Sequence, residues 1–213
     1  MPFDPRTSMF MCDNFVASPV NKHDGSGRIP MIAVPADQTF YFCETKSGKP
    51  MDIYEIREAP QAAPGAPAPN GIFMGYWCPY EIDRTSYVTL SGAADYMFTA
   101  TMDGCSFGVG MPSKDGTVTV SHSNSAKDDT PTSHKPMAIA QKASLRSLLG
   151  GKSKIFQPSD YRTRGFFKKK ADVSAMTFGV RSGKSWRFYS HRFRKDYVGM
   201  AVKYIYYETV KLN

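Results

Sequence analysis

The sequence predicts an α+β domain with a β-sandwich-like core and a few covering helices. Two observations carry this. Short runs of β-branched and aromatic residues recur along the chain between clusters of Gly, Pro, Asn and Ser, and the clearest helical periodicity is confined to one segment, 137–149. Strands grouped in runs with one or two helices argue against alternating β/α units. The 213 residues, 41% hydrophobic, suit a single domain over 1–213 that buries its own core.

Residues 1–30 are rich in Pro, Asp, Asn, Ser and Gly and are expected to be irregular, with room for one short strand. Strands follow at 31–34, 38–44 and 51–57. The Ala/Pro-rich stretch 59–70 cannot hold a regular helix and reads as a long surface loop. Runs with few charges at 71–80, 86–90 and 96–102 predict strands buried on both faces, and 118–120 starts another. In the helix, Ile139, Ala143, Leu145, Leu148 and Leu149 are expected on the buried side, with Pro136 in the first turn and Gly150 as the stop. A basic stretch, 161–170, leads to strands at 176–180, 184–193 and 198–210.

Charge and targeting signals narrow the function classes only a little. Lys plus Arg is 27 against 19 for Asp plus Glu, a formal charge of +8 that favours acidic partners without choosing among them. No apolar run approaches the ~20 residues that cross a bilayer, and the first twelve residues lack a basic start followed by an apolar core. Neither a membrane span nor a cleaved leader is expected. Cys12, Cys43, Cys78 and Cys105 form no C-x-x-C pair, so reduced thiols in the core are expected and a zinc site is not.

Several motifs fail on inspection. Gly150-Gly151-Lys152-Ser153 resembles the end of a phosphate-binding loop, but Arg146 stands where the first glycine belongs and a helix precedes it where a strand should. Gly104, Gly108 and Gly110 lack dinucleotide-loop spacing and read as strand. His23, His134 and His191 have no partner at metal-ligand spacing. Rings and cations mix in 166–170 and 186–195 as a single-strand binder would require, yet alternation leaves neither face of the second segment purely cationic. A solvated basic surface is preferred there over nucleic-acid binding.

Cys105 differs from the other cysteines. A Pro112–Gly116 turn joins its strand to one carrying His122, and counting outward from the Asp115-Gly116 turn puts both residues near the same end of the pair. An imidazole beside a thiol can take its proton and make it a nucleophile. Gly104 would let the chain turn sharply and aim backbone N–H groups at a developing oxyanion.

At these residues the chain resembles the cysteine glutamine-deamidase toxins of the cytotoxic necrotizing factor and Burkholderia lethal factor type, related in their site to the chemotaxis receptor deamidases. The match is Phe98-Thr99, five intervening residues and Gly104-Cys105, then His122 on the strand after a turn. It covers about thirty residues and departs at Asp103, where the toxins often have Ser. The resemblance implies a deamidase-toxin-like fold, a Cys105 nucleophile, a His122 base and Thr99 orienting the imidazole. Gly104 and Ser106 would then border the substrate, with no metal or organic cofactor required. It further implies a monomeric toxin or effector acting on a protein substrate, through a docking face for an acidic surface. Such a protein works in a target-cell cytosol after leaderless or specialised export, or remains cytoplasmic. Protease or transglutaminase chemistry with the same dyad stays open, as does a non-enzymatic basic module.

Overall fold

The computed structural model describes residues 3–12, 27–60, 71–124, 134–162 and 173–213, the side chains of 134 and 135 excepted. The strands are β1 (Met9–Met11), β2 (Arg28–Pro35), β3 (Tyr41–Thr45), β4 (Pro50–Met51), β5 (Ile53–Glu58), β6 (Ile72–Cys78), β7 (Thr85–Leu90), β8 (Tyr96–Thr99), β9 (Ser106–Val109) and β10 (Val118–Ser123). Helix α1 (His134–Leu149), strand β11 (Lys154–Phe156) and the short helix α2 (Pro158–Tyr161) follow. The long strands β12 (Val173–Ser182), β13 (Ser185–Val198) and β14 (Ala201–Lys211) complete the fold.

Ten strands form one sheet in the order β1-β5-β2-β6-β8-β12-β13-β14-β3-β4, and four form a second in the order β11-β9-β10-β7. The large sheet curves until its ends approach, with β3 touching β5. Among the described residues 54% are in strands and 11% in helices, so the fold is β-rich with few helices, and a large, nearly closed sheet stands where a clear α+β sandwich was expected. The physical reason is pairing between segments far apart in sequence: β14 joins β3 in parallel (Tyr204 opposite Cys43), and β1 joins β5 in parallel (Phe10 opposite Tyr54). Both join segments that would otherwise be separate layers into one wall. The short strand allowed for in 1–30 is β1, which is fully buried; its Phe10 makes edge contacts with Phe98 and Phe178.

Two apolar clusters fill the molecule. One lies within the curve of the large sheet around Phe10, Phe98, Phe178 and Phe193. The second includes Tyr76, Met97, Cys105, Phe107, Val120, Ala175 and Phe188, residues drawn from both sheets. Phe107 faces the large sheet, so its neighbour Gly108 faces the other way, toward α1. A Cβ on Gly108 would come within 2.6 Å of Leu149 and 3.0 Å of Leu145, which is why glycine stands there. The order outward is therefore large sheet, small sheet, helix.

The helix starts three residues earlier than expected and ends at Gly150, whose N–H reaches Arg146 O at 2.9 Å. Its buried stripe is not the expected one. Gln141 and Leu145 are the fully buried positions, while Ile139 is 70% exposed and Ala143 and Leu148 are also exposed. The stripe follows an i, i+4 row through Met137, Gln141, Leu145 and Leu149. The loop 61–70 and the basic run 166–170 lie outside the described residues. No helix among the described residues is long and apolar enough to cross a membrane.

Candidate active site

Cys78 and Thr99 end two neighbouring parallel strands of the large sheet and stand directly opposite each other. Thr99 Oγ1 lies 2.9 Å from Cys78 O and 2.7 Å from His122 Nδ1. A hydroxyl has one proton and a carbonyl can only accept, so the proton goes to Cys78 O and Thr99 accepts from His122 Nδ1–H. The imidazole is thereby held in one tautomer, with the lone pair on Nε2. That nitrogen is buried and has no hydrogen-bond partner among the described residues. Because His122 belongs to β10 of the small sheet, this bond also ties the two sheets together.

The hairpin expected from the sequence is present. In β9 and β10, Phe107 pairs with His122 and Ser106 with Ser123, so Cys105, one step before β9, lies diagonally across from His122. Diagonal partners on one face of an antiparallel pair have Cα atoms about 7–8 Å apart, and here the thiol and the ring are neighbours without a hydrogen bond between Cys105 Sγ and His122 Nε2. Tyr80 packs on the outside of the ring, its centroid 5.1 Å from that of His122, and burial, with a smaller influence from Cys105, raises its hydroxyl pKa. Asn124 Nδ2 donates to Tyr80 Oη at 2.8 Å and holds this ring in place.

The turn before Cys105 is fixed by side chains from beyond α1's start. Gly104 takes φ +97°, a conformation that favours glycine. Its N–H donates to Tyr161 Oη at 2.8 Å, and the same hydroxyl donates to Cys105 O at 2.9 Å. Gln141 Nε2 donates to Gly104 O at 3.1 Å, and Gln141 Oε1 accepts from Ser106 Oγ at 2.5 Å. Asp103, beside the turn, pairs with Arg162 at 2.5 Å.

Gly104 was expected to let the chain turn so that backbone N–H groups aim at an oxyanion, and Gly104 and Ser106 to border the substrate; the structure engages Gly104 N–H with Tyr161 and the fully buried Ser106 with Gln141. Both residues support Cys105 from behind. Sequence reasoning missed Gln141, Tyr161, Tyr80 and Asn124. A signal existed for Gln141, the one polar residue interrupting the Met137, Leu145, Leu149 row.

Electrostatically the resting pair is neutral. Burial pushes the Cys105 thiol up to about 12, outweighing the Asp103 N–H and the Arg162 charge that favour the thiolate. Burial likewise pulls His122 down to about 3. Cys105 and His122 are only 4% and 1% exposed. Cys105 therefore rests as a thiol and His122 as a neutral imidazole. The other three cysteines are also buried and in no disulfide, and Cys78 is held at about 12 by its own burial.

The second basic aromatic segment is β13. Trp186, Phe188 and Phe193 are core residues, Arg192 pairs with Glu208, and Arg194 pairs with Asp196. These three rings lie in the core and offer no exposed row to successive bases, and Arg192 and Arg194 are paired, as the preferred reading of a packed sheet with a solvated basic surface expects. His191 is buried and bonded to Thr209 Oγ1 at 2.7 Å. His23 and the side chain of His134 lie outside the described residues. Among the described residues, no three His, Cys, Asp or Glu side chains gather as a metal site would need. No model of a known protein family matches the chain, and no curated protein matches it.

Proposed function

We propose that this protein is a cysteine hydrolase that deamidates a glutamine side chain of a target protein, with Cys105 as nucleophile and His122 as general base and acid. One observation carries the reading most: the Cys78 O, Thr99, His122 chain leaves a buried Nε2 lone pair without a partner on the side of the sheet that Cys105 shares. His191 also has a threonine hydroxyl on Nδ1 and a buried, unpartnered Nε2, an arrangement that costs about 1–3 kcal/mol per unsatisfied atom wherever it occurs, so what sets His122 apart is the thiol diagonally across its strand pair.

In the reaction, His122 Nε2 takes the Cys105 proton as sulfur attacks the carboxamide carbon, giving a tetrahedral adduct. The imidazolium then protonates the departing nitrogen, ammonia leaves and a thioester remains. Water, deprotonated by the same Nε2, attacks the thioester, and the proton returns to sulfur. The sum is glutamine plus water to glutamate plus ammonia. Thr99 keeps Nε2 turned to the reacting atoms throughout, and Tyr161 and Gln141 hold the Gly104-Cys105 turn so that sulfur needs little reorganisation. No step calls for a metal or organic cofactor.

Hydrolysing a side-chain amide leaves the target chain whole and adds about 1 Da, whereas a protease cuts it and a transglutaminase joins it to an amine. Incubating cell lysate with wild-type protein and with Cys105→Ser, followed by peptide mass spectrometry, tests the reading. Glutamine-to-glutamate conversion that needs Cys105 supports it. Cysteine-dependent new termini or amine adducts without such conversion would replace it.

A further inference from the structure

At the far end of β9 from Cys105, four separate segments bring lysines to one pocket. Lys114 comes from the β9–β10 turn, Lys152 from the loop after α1, Lys154 from β11 and Lys184 from the β12–β13 turn. The pocket holds about 520 Å³, and no carboxylate side chain is among its lining residues. None of the four ammonium groups has an ion-pair partner among the described residues. The nearby Asp115 carboxylate is engaged within its own turn by the Ser113 hydroxyl and the Thr117 N–H. Like charges drawn together without counter-charge repel, and an anion seated among them relieves that cost.

The deep wall is of another kind. Val109, Val118, Trp186 and Phe188 are buried there, with the Trp186 and Phe188 rings stacked at 6.3 Å and 19°. Trp186 is 6% exposed, and its buried indole N–H has no acceptor among the described residues. An unpartnered donor and four unpaired cations ask for acceptors, and the apolar side of the pocket, where Met111 and Pro112 are exposed beside the nearly buried Trp186, asks for a flat apolar group.

We infer that this pocket binds a small phosphorylated molecule carrying a planar group, of the nucleoside polyphosphate class. Its volume falls within the ~300–1,000 Å³ of small-molecule sites, and the pocket is concave, where a nucleic-acid strand needs successive rings along an open groove. Lys152 of the Gly150-Gly151-Lys152-Ser153 stretch takes part, as one cation among four, in a setting unlike a phosphate-binding loop. Val109 lies about 13 Å along the strand from Cys105, at ~3.3 Å per residue, so the ligand would sit apart from the thiol.

Calorimetric titration of the whole protein with ATP, inorganic tripolyphosphate and adenosine at low ionic strength is the test, and it reads no turnover, so it stands apart from the Cys105 chemistry. ATP should bind saturably, one per chain, and more tightly than either tripolyphosphate or adenosine. The pair Lys152→Gln, Lys184→Gln should weaken ATP at least about tenfold, while the exposed pair Lys46→Gln, Lys49→Gln, equal in charge removed, should change it less than about twofold. Unchanged unfolding midpoints of both variants without ligand keep the comparison fair. Absence of saturable ATP binding at millimolar concentration overturns the inference, as do equal losses in the two variants. Tripolyphosphate binding as tightly as ATP overturns the role of the aromatic wall. Saturation by a single-stranded oligonucleotide or an acidic peptide but not by ATP overturns the ligand class.

Discussion

Thr99 accepts a hydrogen bond from His122 Nδ1 at 2.7 Å while giving its own proton to Cys78 O at 2.9 Å, and so joins the end of a strand in one sheet to a histidine in the other. The same relay sets the tautomer on which the proposed chemistry depends.

Thr99→Val keeps the shape and removes the relay, leaving a buried carbonyl and a buried ring N–H without partners. Unfolding free energy should fall by about 1–3 kcal/mol, and turnover should fall further than folding explains. Thr99→Ser should restore most of both. Nitrogen NMR of the imidazole checks the cause: in wild-type protein Nδ1 carries the proton, and in Thr99→Val the other tautomer should appear.

Gln141→Leu and Tyr161→Phe act one layer behind the thiol. Each leaves buried hydrogen-bonding groups of the Cys105 turn unsatisfied, Gly104 O and Ser106 Oγ in the first case, Gly104 N–H and Cys105 O in the second. Each should cost about 1–3 kcal/mol in denaturant unfolding and lower kcat more than it raises KM, with the His122 nitrogen signals unchanged. A changed His122 tautomer would mean that these residues act on the base instead of the turn.

Burial lowers the pKa of His122 to about 3 and of His191 to about 4, against 6.5 when exposed. Between these limits the unfolded chain binds protons that the native protein does not, so stability is complete above about pH 6.5 and falls as the pH drops. Each histidine contributes a slope of about 1.4 kcal/mol per pH unit. Urea unfolding from pH 7.5 to 4.5 should show this decline, with His191→Gln removing part of the slope. Stability independent of pH over that range would mean that both rings are solvated.

The hairpin was legible because its signals are local: a turn at Asp115-Gly116 and β-branched residues counted outward from it place Cys105 diagonally from His122. Thr99 could be named only through the family-like spacing Phe98-Thr99 to Gly104-Cys105, since nothing local shows that β8 runs beneath β10. Gln141 was missed because helix periodicity weighs apolar residues, and a buried polar residue satisfied by two neighbours, Gly104 and Ser106, looks exposed in sequence. Tyr161 lies in a short turn of helix with no pattern of its own. The single ten-stranded sheet was not legible because the parallel pairs β14–β3 and β1–β5 join distant segments that carry no turn signal.

The most direct test of the dyad is the alkylation of Cys105 by chloroacetamide, a small carboxamide, followed by peptide mass spectrometry at neutral pH in wild-type protein and in His122→Asn. With both residues buried and the resting thiol protonated, transfer of its proton to Nε2 must accompany attack. The account predicts that Cys105 is modified faster than Cys12, Cys43 and Cys78, and that His122→Asn slows Cys105 at least about tenfold while leaving the other three unchanged. Equal rates at Cys105 with and without the imidazole would contradict it.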